Sequence, residues 1–179
     1  MVSTINASTA GSGGIITSGD ASGVMALQVA GNTALTVNAD KSIAFSAGGV
    51  TKNIQETATI SATAATGTVN VDILTSVVWY YTSNASGNWT FNFRGNSGTT
   101  LDSVMSTGQS LTVAFLVQLG STGYYASAIT IDGVANTPVW QGGSAPSSGS
   151  PNNLDAYVYT IIKTSSATFK VLAQRISYS

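Results

Sequence analysis

Between Val69 and Arg94 the side chains alternate in character with a period of two, and no other stretch limits the fold of this chain as much. Val69, Val71, Ile73, Val77, Trp79 and Tyr81 fall on odd positions, with Asn70, Asp72, Ser76 and Thr82 on even ones. After Ser83-Asn84-Ala85-Ser86-Gly87 the alternation resumes, Trp89, Phe91 and Phe93 against Asn88, Thr90, Asn92 and Arg94. Successive side chains of a strand point to opposite faces, so this is the pattern of strands with one buried side. The five-residue connection predicts a hairpin that lays the Val/Trp/Tyr row beside the Trp/Phe row. Such an aromatic face needs a second sheet over it.

The rest of the chain repeats the signal. A first strand is expected from Thr57 to Thr63. Leu111, Val113, Phe115, Val117 and Leu119 make another odd row, continued by Tyr125, Ile129 and Ile131 up to a tight turn at Asp132-Gly133. Val139-Trp140 begins a short strand that breaks into a Gly/Ser/Pro loop ending near Asn153. Tyr157, Tyr159 and Ile161 are expected to pair with Phe169, Val171 and Ala173 across Thr164-Ser165-Ser166. No stretch sustains a helical period. The expectation is all-β: an antiparallel sandwich or jelly roll of about eight strands, spanning residues 53–179. It is preceded by an extended arm with short strands, residues 1–52.

That arm opens on small and polar residues up to about position 22, a composition that buries too little apolar area to fold alone. Short runs follow at Val24–Val29, Thr33–Val37 and Ser42–Phe45. They are too few and too short for a core of their own, whereas three copies about a threefold axis would supply one. Ile5, Ile15, Ile16, Met25, Leu27 and Leu35 are the apolar residues expected to carry this attachment.

Composition excludes much chemistry. The chain has neither cysteine nor histidine, which removes disulfides, thiolate sites, the commonest general base and the commonest metal ligand. The seven carboxylates (Asp20, Asp40, Glu56, Asp72, Asp102, Asp132 and Asp155) are isolated from one another in sequence, unlike the close pair a glycosidase needs. No Gly-rich phosphate loop with its lysine is present. The chain is read as non-enzymatic, with no cofactor and no metal. The formal net charge of −1 gives no reason to expect nucleic acid, and no apolar run is long enough to insert in a membrane. The start lacks the basic and apolar regions of a signal peptide. Asn-x-Ser/Thr triplets at Asn6, Asn84 and Asn88 are read as chance in a Ser/Thr-rich chain. Only 7% of the 179 residues are charged, against about 25% in ordinary domains. Sparse charge leaves sheet edges and surfaces unprotected, so much of the surface is expected to lie under other subunits.

Trp140, Gly142, Gly143, Pro146, Gly149, Asn152 or Asn153, Asp155 and Tyr157 follow a spacing that resembles a β-sandwich domain at the C-terminal end of structural proteins of cyanophages and related tailed phages. That resemblance covers residues 57–179. Residues 14–46, short strands among small residues, resemble segments near the start of many tailed-phage fibre and virion surface proteins. Together they imply a virion protein on the particle exterior, commonly trimeric, with other virion proteins as partners and a host surface glycan as a further one. The short tail fibre, the capsid decoration protein and the monomeric carbohydrate-binding module are the alternatives. The residues expected on a ligand or interface surface are Trp140, the outward rings Tyr80 and Tyr124, and the loop residues Asn153 and Asp155. For Trp140 a scaffold role is favoured over stacking on a sugar.

Overall fold

The computed structural model describes residues 24–29, 32–39, 43–46 and 55–179. The chain falls into two compact units, residues 1–54 and 55–179. Ile5, Ile15 and Ile16 lie outside the described residues. In the first unit β1 (Met25–Val29), β2 (Asn32–Val37) and β3 (Ile43–Phe45) form an antiparallel sheet in that order.

The second unit contains β4 (Ala58–Ser61), β5 (Gly67–Asp72), β6 (Val78–Tyr81), β7 (Trp89–Arg94), a short helix α1 (Leu101–Val104), β8 (Ser110–Gln118) and β9 (Ala126–Ile131). After these come β10 (Val134–Asn136), β11 (Val139–Trp140), a 3-10 turn (Gln141–Gly143), β12 (Leu154–Ser165) and β13 (Thr168–Tyr178). One sheet has the order β10-β9-β7-β5 and the other β11-β13-β12-β8-β6-β4. Two sheets with their aromatic rows between them make an all-β sandwich.

The connectivity differs from the expected hairpin. From β4 to β9 the chain changes sheet at every step, so that β4, β6 and β8 pair in parallel in one sheet and β5, β7 and β9 in parallel in the other. The result is three stacked coils of two strands each. Antiparallel ladders between strands of this unit are β9–β10, β8–β12 and β12–β13. The run Val69–Tyr81 is therefore not one strand. It breaks after Asp72, whose carbonyl accepts from the Thr75 and Ser76 amides at 2.9 and 3.2 Å. The alternation lapses at the corner itself, where Thr75 is exposed and Ser76 buried, and resumes with the same parity at Trp79 and Tyr81 because both sheets bury their odd residues in the same core.

Phe91 sits at the centre of that core. Its ring lies 4.7 Å from Phe115, 5.5 Å from Tyr159 and 5.8 Å from Tyr157, all of the opposite sheet, and 5.9 Å from Trp89 and Phe93 on its own strand. Most of these contacts are edge-to-face, the arrangement aromatic quadrupoles favour. The hairpin read at the C-terminal side forms as expected, Tyr159 opposite Ala173 and Ile161 opposite Val171. So does the turn at Asp132-Gly133, where both residues take positive φ (52° and 80°).

Candidate functional site

The aspartates of the sandwich are tied into structure one by one. Asp72 on β5 faces Arg94 on β7, Oδ1 2.6 Å from Nε. The pair is made within one chain. Asp132 accepts from the Leu101 and Asp102 amides at 2.6 and 3.0 Å, holding the start of α1. Asp102 accepts from Lys163 Nζ at 2.7 Å and from the Ala167 amide at 2.7 Å. These bonds, the lysine's first, hold its carboxyl below the ordinary aspartate value. Lys163 is itself buried and also donates to the Asp102 and Met105 carbonyls at 2.5 and 2.9 Å. Among the described residues no three acidic side chains gather as a metal would require, and no helix is long and apolar enough to cross a membrane.

The five residues expected on one surface are not brought together. Asp155 is fully buried and points into the core side of β12, where Arg175 and the Ser150 amide hold it. The correction has a simple cause: Asp155 shares the inward parity of Tyr157 and Tyr159, and β12 begins at Leu154 rather than after it. Tyr124 belongs to the loop before β9 and packs against the core rather than standing outward on a strand. Asn153 contributes backbone, its carbonyl accepting from the Leu119 amide at 3.0 Å. Tyr80 is outward on β6, between Trp79 and Tyr81, which turn to the core.

Trp140 is half-buried, its ring 6.0 Å from Tyr159 and edge-on to it. Together with Ser127, Asn136, Pro138 and Pro146 it lines an open cleft of about 440 Å³. Gly142 and Gly143 leave β11 through positive φ (79° and 82°), as their pairing in sequence suggests. Gly149 lies so close to the Tyr124 carbonyl and the Leu119 side chain that a Cβ there would collide with both. Its amide donates to the Gly123 carbonyl at 2.8 Å. The loop is thus clamped to the body of the sandwich, which suits a scaffold more than a mobile site.

The other unsatisfied feature is in the first unit. Ladder partners share a face, so Met25, Val37 and Ile43 form one row and Leu27, Leu35 and Phe45 the next, both on the same side. Four of these six are exposed, Ile43 at 60% the most. The opposite side carries Ala26, Thr36 and Ala44. A three-stranded sheet with six apolar side chains on one face is half of a core. Comparison of the chain with protein-family models, with curated proteins and with solved structures returns no significant match.

Proposed function

We propose that this chain is a non-enzymatic structural protein of a tailed-phage virion, a homotrimer attached through its N-terminal segment with the sandwich displayed on the particle exterior. The observation that carries the reading is the apolar face of β1–β3. Each such side chain gains about 1.5–3 kcal/mol on full burial, and three copies meeting about an axis bury all six per chain. The residue spacing around Trp140 and Asp155 supports the virion assignment. The parallel coils and the ring-filled core support a rigid body that acts by shape rather than by turnover.

A short tail fibre is the leading form, with the Gly95–Gly108 and Gln141–Asn153 loops available to a host glycan. A capsid decoration protein is the second. The native mass of the protein by light scattering, with and without residues 1–54, tests the assembly. A threefold assembly whose mass falls on removal of the segment agrees with the proposal. A monomer in both forms defeats it and favours a carbohydrate-binding module, for which Trp140→Ala must abolish sugar binding.

A further inference from the structure

The two outer faces of the sandwich are unlike each other. On the four-stranded sheet, Asn92 bonds Asn70 at 2.9 Å and Thr130 at 2.8 Å, beside the Asp72–Arg94 pair. That is a face furnished for water. On the six-stranded sheet one ladder row reads Ile60, Tyr80, Leu116, Ala156, Ile176 across five strands. Ile60 is 70% exposed. Among the residues these six strands turn outward, Lys170 carries the one charge, and it lies toward the β12–β13 turn at one end.

The strand sequences repeat the contrast. Trp-Thr-Phe-Asn-Phe-Arg on β7 alternates cleanly, as a strand with one wet side does. Leu-Thr-Val-Ala-Phe-Leu-Val on β8 and Ala-Tyr-Val-Tyr-Thr-Ile-Ile on β12 carry apolar residues on both parities, interrupted on the outer face by Thr112 and Thr160, whose hydroxyls bond each other at 3.2 Å. Near-continuous apolar runs belong to strands buried on both faces.

We infer that a second copy of this chain covers the outer face of the six-stranded sheet, sheet against sheet. With strands about 4.8 Å apart and about 3.3 Å per residue, the face has a footprint of roughly 650 Å². That approaches the ~800 Å² per partner of a standard interface. An acidic protein or a nucleic acid meets a single lysine there. Residues 1–23 of the chain itself offer Met1, Val2, Ile5, Ile15 and Ile16 as their large apolar side chains, too few to cover it. Another copy presents the same charge-free centre and keeps Lys170 at the rim, the anatomy of a protein interface. This contact does not depend on the N-terminal sheet or on a phage origin.

Because the chain has no cysteine, single-cysteine variants of the full-length protein report on each face separately. Ala114→Cys lies near the middle of the apolar face, and Thr68→Cys lies on the outer side of the four-stranded sheet. Ala114→Cys is expected to give an interchain product with a flexible bis-maleimide. It is also expected to react with a bulky maleimide on the order of tenfold more slowly than Thr68→Cys. Equal reaction rates without a cross-link overturn the inference. So does slow reaction without a cross-link, since the cover is then something other than a second copy. Gln174→Cys, on the same row as Ala114, replaces it if that variant does not unfold cooperatively. With this contact the full chain assembles as a multiple of three, and removal of residues 1–54 leaves a dimer, so the mass of the shortened protein separates the sheet contact from the N-terminal trimer.

Discussion

The Arg175 guanidinium lies 2.7 Å from Asp155 Oδ2, although the residue directly opposite Asp155 on the ladder is Ser177. The same guanidinium nitrogen donates to Ser150 Oγ at 3.2 Å, and the Ser150 amide donates to Asp155 at 3.2 Å. One ion pair therefore pins the long Gly/Ser/Pro loop to the start of the β12–β13 hairpin. Arg175→Ala leaves a fully buried carboxylate without its cation, and urea unfolding is expected to show a loss of about 3–5 kcal/mol. Arg94→Ala breaks a pair whose side chains are each 25% exposed and is expected to cost no more than about 1 kcal/mol. Equal losses would refute the role given to burial.

Asp102 sets an acid limit. Its folded pKa is lowered by Lys163 and the Ala167 amide, so the unfolded chain takes up the proton first as pH falls. The stability it contributes is complete above the unfolded value of about 3.9 and disappears as pH drops through the lower folded value. Thermal unfolding from about pH 6 to about pH 2 is expected to show a shallower acid decline in Asp102→Asn than in the parent. An unchanged slope would remove Asp102 from the explanation.

Tyr157 and Tyr159 stand two residues apart and are expected to respond in opposite senses. The Tyr157 hydroxyl accepts from the Ala126 amide at 3.2 Å, whereas the buried Tyr159 hydroxyl has no partner among the described residues. Burial pushes both phenols above their ordinary pKa. Tyr157→Phe orphans an amide and is expected to cost about 1–2 kcal/mol, while Tyr159→Phe is expected to be neutral or to stabilise by up to about 1 kcal/mol. Chemical denaturation of the two variants side by side decides it.

Leu35→Asp places a charge in the middle of the apolar face of β1–β3. The full-length variant is expected to lose its threefold mass while the sandwich unfolds at its usual temperature, because residues 55–179 have their own core. A variant that keeps its mass locates the trimer contact elsewhere.

Side-chain parity was legible from sequence nearly throughout, because a two-sheet fold buries one parity whatever order its strands take. Val113 to Leu119, Trp89 to Phe93 and Tyr157 to Ile161 all face the core as their alternation says. Beyond the β12–β13 hairpin, strand partners were not legible. Val71 and Val77 keep the same parity on either side of a corner, so periodicity cannot tell one long strand from two strands in opposite sheets. The four residues of α1 are too short to show a helical period. Asp132 reads as a turn residue and is one, but nothing local announces that its carboxylate caps α1 from 30 residues away. Lys163 looks like a surface lysine until its strand is seen to put it inside. Asp155 carried a signal that went unread, its place in the odd row of β12.

The three coils also impose an order of synthesis. Phe91 and Phe115 come from the coils, but Tyr157 and Tyr159, which close over them, come from β12. A nascent chain that has reached Ile131 has made all three coils and still lacks the hairpin that seals their aromatic row. Its rings stay open to water, and to other nascent chains on the same message, until residues 154–179 leave the ribosome. Folding of the sandwich therefore waits for the β12–β13 hairpin, and neighbouring copies are already at hand when it arrives.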